Sequence, residues 1–93
     1  MKKELALMNA VGLFNHVAVT LPNLHTQLTN SEVMLTLVIY CDGDEKLAYR
    51  IKKELEEMVL SPSTIEVTYI PWHKRTNIQE DLYYLTIEWE FEN

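Results

Sequence analysis

From Tyr83 to Glu92 the chain alternates without a break. Tyr83, Leu85, Ile87, Trp89 and Phe91 fall on one side, and Tyr84, Thr86, Glu88, Glu90 and Glu92 on the other. A strict period of two, apolar against polar, is the signature of a half-buried antiparallel strand. Its apolar side must find cover, so it calls for partner strands and for another layer packed upon them.

The rest of the chain supplies candidates for both. Val33 to Cys41 reads as a strand with Val33, Leu35, Leu37, Ile39 and Cys41 on one face. Its other face holds Met34, Thr36, Val38 and Tyr40 and is only weakly polar, as expected for a central strand or one facing a partner. The turn Asp42-Gly43-Asp44-Glu45 leads into a helix from about Gly43 to Leu60, halted by Ser61-Pro62. Asp42 is expected to cap that helix, with Glu45 closing a capping box. Leu47, Ala48, Ile51, Leu55, Met58 and Val59 form its apolar stripe, and Arg50, Lys52, Lys53, Glu54, Glu56 and Glu57 its outer side. Thr64 to Trp72 reads as a third strand, and His73 to Asp81 as a long hairpin loop. Phe14 to Leu21 reads as a weaker fourth strand ended by Pro22, Asn23 to Ser31 as a polar loop, and residues 2 to 10 as a short helix.

The expected fold is therefore α+β in the order (α)ββαββ. One main helix covers one face of a four-stranded antiparallel sheet, in a single domain of residues 1–93. The opposite face, with Tyr40, Tyr84, Ile70 and Trp72, is left uncovered and suggests association.

Composition narrows the function. Eight basic residues against fourteen acidic ones give a net charge of −6. Nucleic acid and anionic membrane surfaces both select clustered Lys and Arg, so neither is an expected partner. The single cysteine, Cys41, cannot form an intramolecular disulfide and points to a reducing compartment. No run reaches the roughly 20 apolar residues of a membrane span.

No motif carries chemistry. The acidic turn at Asp42 to Glu45 lacks the spacing of a calcium loop and suits a helix start. His16, His25 and His73 have no zinc-ligand spacing. Cys41, at the end of a strand, reads as a small buried group and not as a nucleophile. The two glycines build no phosphate loop, so no cofactor and no metal are expected. The basic cluster His73-Lys74-Arg75 beside Trp72 reads either as a solvated loop or as a contact element for a protein. Glu88, Glu90 and Glu92 form either a solvated face that resists aggregation or a shared negative surface in an oligomer. The candidate interaction surface is Trp72, His73, Lys74 and Arg75 together with Met34, Val38, Tyr40 and Tyr84.

One resemblance adds to this. The strand Leu35-Thr36-Leu37-Val38-Ile39-Tyr40, the turn Cys41-Asp42-Gly43-Asp44 and the helix Glu45 to Leu60 come in order. The strand Ile65 to Trp72, a polar loop and the closing strand Leu82 to Phe91 follow. The pattern covers about two thirds of the chain and resembles the tail completion, or tail terminator, proteins of long-tailed phages. That family usually has a first helix of several turns. The resemblance implies a structural protein, not an enzyme: a homo-oligomeric, commonly hexameric, ring made in the host cytoplasm and built into the virion. Such a ring caps the tail tube protein and docks the head connector. An alternative from another class is a small acidic inhibitory or regulatory protein of a phage or mobile element, which binds a host protein through a basic groove.

Overall fold

The computed structural model describes residues 2–58, 62–71 and 81–92. The element order is α1 (Lys3–Thr20), β1 (Thr26–Asn30), β2 (Met34–Tyr40), α2 (Glu45–Glu56), β3 (Thr64–Ile70) and β4 (Leu82–Glu90). The expected α+β class and the order αββαββ are those observed.

The four strands form one sheet in the order β1-β2-β4-β3, antiparallel throughout. β4, the strand with the cleanest alternation, is central. It pairs with β2 from Met34↔Glu90 to Tyr40↔Tyr84 and with β3 from Thr64↔Glu88 to Ile70↔Leu82. β2 and β3 thus run parallel to each other with β4 between them. The chain from β2 through α2 to β3 is a split β-α-β unit. This placement follows from the sequence. A strand facing the helix layer on one side and half-exposed on the other must alternate, and β4 does so over its whole length.

α1 packs on β1, β2 and β4, and α2 on β3 and β4. Ala6, Ala10, Leu13 and Val17 of α1 join Ala48, Ile51 and Leu55 of α2 in the core. From the sheet come Leu35, Leu37, Ile39, Leu85, Ile87 and Trp89, with Cys41 and Phe91 just beyond the strand ends. Trp89 is fully enclosed. No buried side-chain nitrogen or oxygen among the described residues lacks a hydrogen-bond partner.

Three local readings need correction. Phe14 to Leu21 is not a strand; it lies in the second half of α1, which runs 18 residues and not only 2 to 10. Its spacing is helical: Ala6, Ala10, Leu13 and Val17 lie on one stripe. The alternation that suggested a strand arises because the outer side of this helix is also apolar. Pro22 does end the element, and Leu21 before it leaves the helical region at φ −130°, ψ 61°. Second, the fourth strand is β1, inside the segment expected to be a loop. Only Leu28 of its five residues is a large apolar group, which suits an edge strand that gives little to the core. Third, the cap of α2 is Asp44, not Asp42. The Leu47 N–H donates to Asp44 Oδ1 at 2.9 Å. Asp42 sits in the left-handed region at φ 51°, a conformation that Asp tolerates better than most residues. Its carbonyl accepts from the Tyr83 N–H, and the Cys41 N–H donates to the Tyr83 carbonyl, extending the β2–β4 ladder. Glu45 follows the cap and accepts from the Tyr83 hydroxyl at 3.0 Å instead of closing a capping box.

α2 ends at Glu56, short of the expected Leu60: Glu57 is its C-cap, and Met58 lies beyond the helix, partly exposed and not on the apolar stripe; residues 59–61 fall outside the described residues. Among the described residues no helix is long and apolar enough to cross a membrane.

Candidate functional site: the outer sheet face

Both helices contact the sheet through the side that holds Leu35, Leu37, Leu85 and Ile87, so among the described residues the other side has no helix over it. Cross-strand register fixes what lies there. Tyr40 sits opposite Tyr84, which sits opposite Thr68. One step along, Gln27, Val38, Thr86 and Glu66 form a row, then Thr29, Thr36, Glu88 and Thr64, and finally Met34 and Glu90. Met34, Val38, Tyr40 and Tyr84 all lie on this face, each half-buried; Val38 adjoins the Tyr40–Tyr84 row, whereas Met34 stands opposite Glu90 at the far end of β2. The other half of the expected surface, Trp72, His73, Lys74 and Arg75, lies outside the described residues. Ile70 takes its expected place on this face, at the end of β3 next to Pro71.

The face has two chemically distinct ends. At one end the rings of His25, Tyr40 and Tyr84 form a row, with centroids 5.4 Å apart for the first pair and 5.9 Å for the second. The Tyr40 hydroxyl donates to Gln27 Oε1 at 3.3 Å, which orients the ring. Aromatic pairs at such separations add to the stability that burial supplies. The row gives the end a rigid, amphipathic surface. His25 was outside the expected set. No sequence signal could have placed it, because its position depends on β1, whose only sizeable apolar residue is Leu28. At the other end, Glu88 accepts from the Thr64 hydroxyl at 2.9 Å, and the Glu90 N–H donates to Ser63 Oγ at 3.0 Å. Glu90 is exposed there, and Glu66 is exposed one row from Tyr84 and Thr68. The acids of β4 thus lie on a face that is aromatic at one end and negative at the other.

The core side has its own aromatic pair at the start of α2. Tyr69 stacks on Tyr83 with centroids 4.8 Å apart. Burial, then the hydrogen bond to Glu45, pushes the Tyr83 phenol up to about 12. Cys41 is enclosed nearby, and burial followed by the charges of Asp44 and Asp42 pushes its thiol up to about 11. A nucleophilic cysteine needs the opposite environment, one that stabilises thiolate near neutral pH. A groove of about 340 Å³ runs between the ends of the helices, lined by residues such as His16, Val17, Leu21, Ile51 and Leu55. It gathers apolar groups with His16 and Glu54 at its rim, and nothing in it pairs a nucleophile with a base. Among the described residues no three His, Cys, Asp or Glu side chains converge as metal ligands. Comparison with known protein families, with curated proteins and with solved structures finds no match for this chain.

Proposed function

We propose that the protein is a structural subunit that works by assembly. In this reading it is a tail-terminator-like protein of a long-tailed phage, forming a homo-oligomeric ring that caps the tail tube and docks the head connector. The observation that carries the reading is the sheet face, with no helix over it among the described residues, on which Val38, Tyr40 and Tyr84 lie together, half-buried, with Met34 at the acidic end. A contiguous face of this kind, rimmed by polar groups, is what an interaction surface looks like. Further support comes from α1, whose 18 residues supply the multi-turn first helix usual in the resembling family. A ring joins unlike patches of neighbouring subunits by a rotation that closes, so one sheet face can meet a different surface of the next copy.

Net charge opposes such a ring. At −6 per subunit, neighbours repel, and added salt shortens the range of that repulsion to about 8 Å at physiological strength. Sedimentation velocity across protein and salt concentration, with electron microscopy of the heaviest species, is the test. The expected result is a closed ring whose formation strengthens with salt and is lost in Val38→Glu and Tyr84→Glu variants that remain folded. A protein that forms no ring at any salt, or that instead makes a one-to-one complex with a single basic partner, would overturn the reading in favour of an acidic inhibitor.

A further inference from the structure

α1 carries two stripes. Ala6, Ala10, Leu13 and Val17 are buried on the sheet. Leu5, Met8, Gly12, Asn15 and Val19 are all exposed. At about 100° per residue, the second stripe points roughly half a turn away from the first. Leu5 is 50% exposed, Met8 71% and Val19 80%, so this is the most open apolar surface of the chain's described part. The spacing 5, 8, 12, 15, 19 is alternately three and four, the seam spacing of paired helices.

We infer that this stripe is a two-fold contact: α1 packs antiparallel against α1 of a second copy, crossing at Gly12. This face lies on the other side of the sheet from the proposed ring surface, so the inference does not rest on the ring reading.

Charge selects the occupant. From Leu5 to Ser31 the chain has no Asp, Glu, Lys or Arg, while every acidic residue but Glu4 lies at Glu32 or beyond. Two copies of an acidic chain repel everywhere except through a face like this one. A strongly charged partner would leave its charges desolvated and unpaired against the stripe. The stripe is also self-complementary. Reversed about Gly12, Leu5 meets Val19, Met8 meets the Asn15–His16 step, and Gly12 meets itself.

The ends decide the direction. The last turn of α1 has no basic side chain. An antiparallel partner brings its exposed Lys2 to that turn, where the helix dipole favours cations, while Lys3 is held within its own chain over the Phe91 ring, 5.7 Å from the centroid. A parallel partner would instead place the lysines of both copies together. Gly12 supplies the remaining argument. A side-chain carbon built there meets nothing within 4 Å, and its φ is not positive, so the single subunit has no steric need of glycine at mid-helix. A glycine there lets two helix axes approach closely.

An 18-residue helix is about 27 Å long, which makes a small interface and hence a weak, concentration-dependent dimer. Sedimentation equilibrium of the full chain from about 10 µM to 1 mM covers the range expected of such a contact. With the sheet face blocked by Val38→Glu, the mass should rise from one chain toward two, and adding Met8→Glu or Val19→Glu should hold it at one without lowering the melting temperature. Cross-linking fixes the geometry. Gly12→Cys should oxidise to a covalent dimer at least tenfold faster than Leu5→Cys, whereas Leu5→Cys mixed with Val19→Cys should form the heterodimer. A chain that stays monomeric throughout overturns the inference, whether or not it then binds neutral lipid vesicles. So does wild-type association by Met8→Glu, or preferential Leu5–Leu5 linkage. Loss of the dimer in Met8→Glu alongside an intact ring would separate this contact from the ring face.

Discussion

α1 and α2 lie against the same side of one sheet, yet they are built by opposite rules. α2 buries Ala48, Ile51 and Leu55 and turns Lys46, Arg50, Lys53, Glu54 and Glu56 outward. It has an Asp44 cap and an acid in its first turn, which suit the helix dipole, and a lysine in its last turn beside Glu54 and Glu56. α1 buries an equally regular stripe but exposes Leu5, Leu7, Met8, Val11 and Val19, and its cap residue Lys2 makes no side-chain cap bond. α2 is a helix finished for water but for Tyr49, which is about half-exposed. α1 is a helix held by the sheet, with an outer side finished for something else. An amphipathic pattern needs a polar face as well as an apolar one.

The largest effects test what the helices share. Leu13→Ala in α1 and Leu55→Ala in α2 should each cost about 2–5 kcal/mol, since both side chains are enclosed. Met8→Glu, on the outer stripe, should move the stability of the dilute protein by no more than about 0.5 kcal/mol. Urea unfolding at micromolar protein measures all three. If Leu13→Ala proves as mild as Met8→Glu, α1 is not part of the core.

This contrast also explains what the sequence made legible. β4, β2 and α2 could be read because each has a partitioned environment that writes a period into the chain, and β3 because Ile65, Val67 and Tyr69 alternate with Thr64, Glu66 and Thr68. Leu35, Leu37 and Ile39 alternate with half-exposed neighbours, and Ile51 and Leu55 alternate with charges. α1 has no such partition, so Phe14 to Leu21 imitated a strand. β1 was lost because an edge strand of five residues buries little beyond Leu28, and its pairing with β2 from Thr26↔Ile39 to Asn30↔Leu35 is a tertiary fact. Half of the candidate surface followed from alternation alone, since Met34, Val38 and Tyr40 share a face once β2 is a strand. The contact of His25 with Tyr40 did not, because it depends on β1.

The next effect distinguishes the start of α2, where Asp42, Asp44 and Cys41 gather, from the uncharged body of α1. The Cys41 thiol titrates at about 11 in the folded protein against an ordinary 9.0. Between those values the unfolded chain has lost a proton that the folded one keeps, so stability falls as pH rises. The contribution is fully present below about pH 9 and amounts to at most about 2 kcal/mol. Tyr83 shifts in the same direction, to about 12, and extends the fall to higher pH. Melting curves from pH 8 to pH 11 should decline, and Cys41→Ala should decline less over pH 9 to 11. Equal slopes would show that the thiol is not held in its neutral form by burial.

Caps offer a smaller and reciprocal test. Asp44→Ala should cost about 1 kcal/mol by orphaning the Leu47 N–H. Lys2 precedes α1 with φ −78°, ψ 148°, the extended conformation a capping residue adopts. Lys2→Ser should therefore supply the missing bond and stabilise by up to about 1 kcal/mol. If the gain matches the loss, the helices differ in capping only by side-chain choice.

The smallest effect is the most specific to α1. Gly12 lies in mid-helix, where glycine is worse than alanine by roughly 0.5–1 kcal/mol because its unfolded chain has more freedom to lose. The space around it is open and its backbone is helical, so alanine fits without strain. Gly12→Ala should raise the melting temperature of the dilute monomer, and by the same added methyl group it should hold two α1 helices further apart. Stability at micromolar concentration and association at high concentration should therefore move in opposite directions. A substitution that stabilises the monomer and leaves association unchanged would show that the helices meet elsewhere than at Gly12. One that destabilises the monomer would mean that the outer side of α1 is packed against this chain itself, and that the two helices differ less than their surfaces indicate.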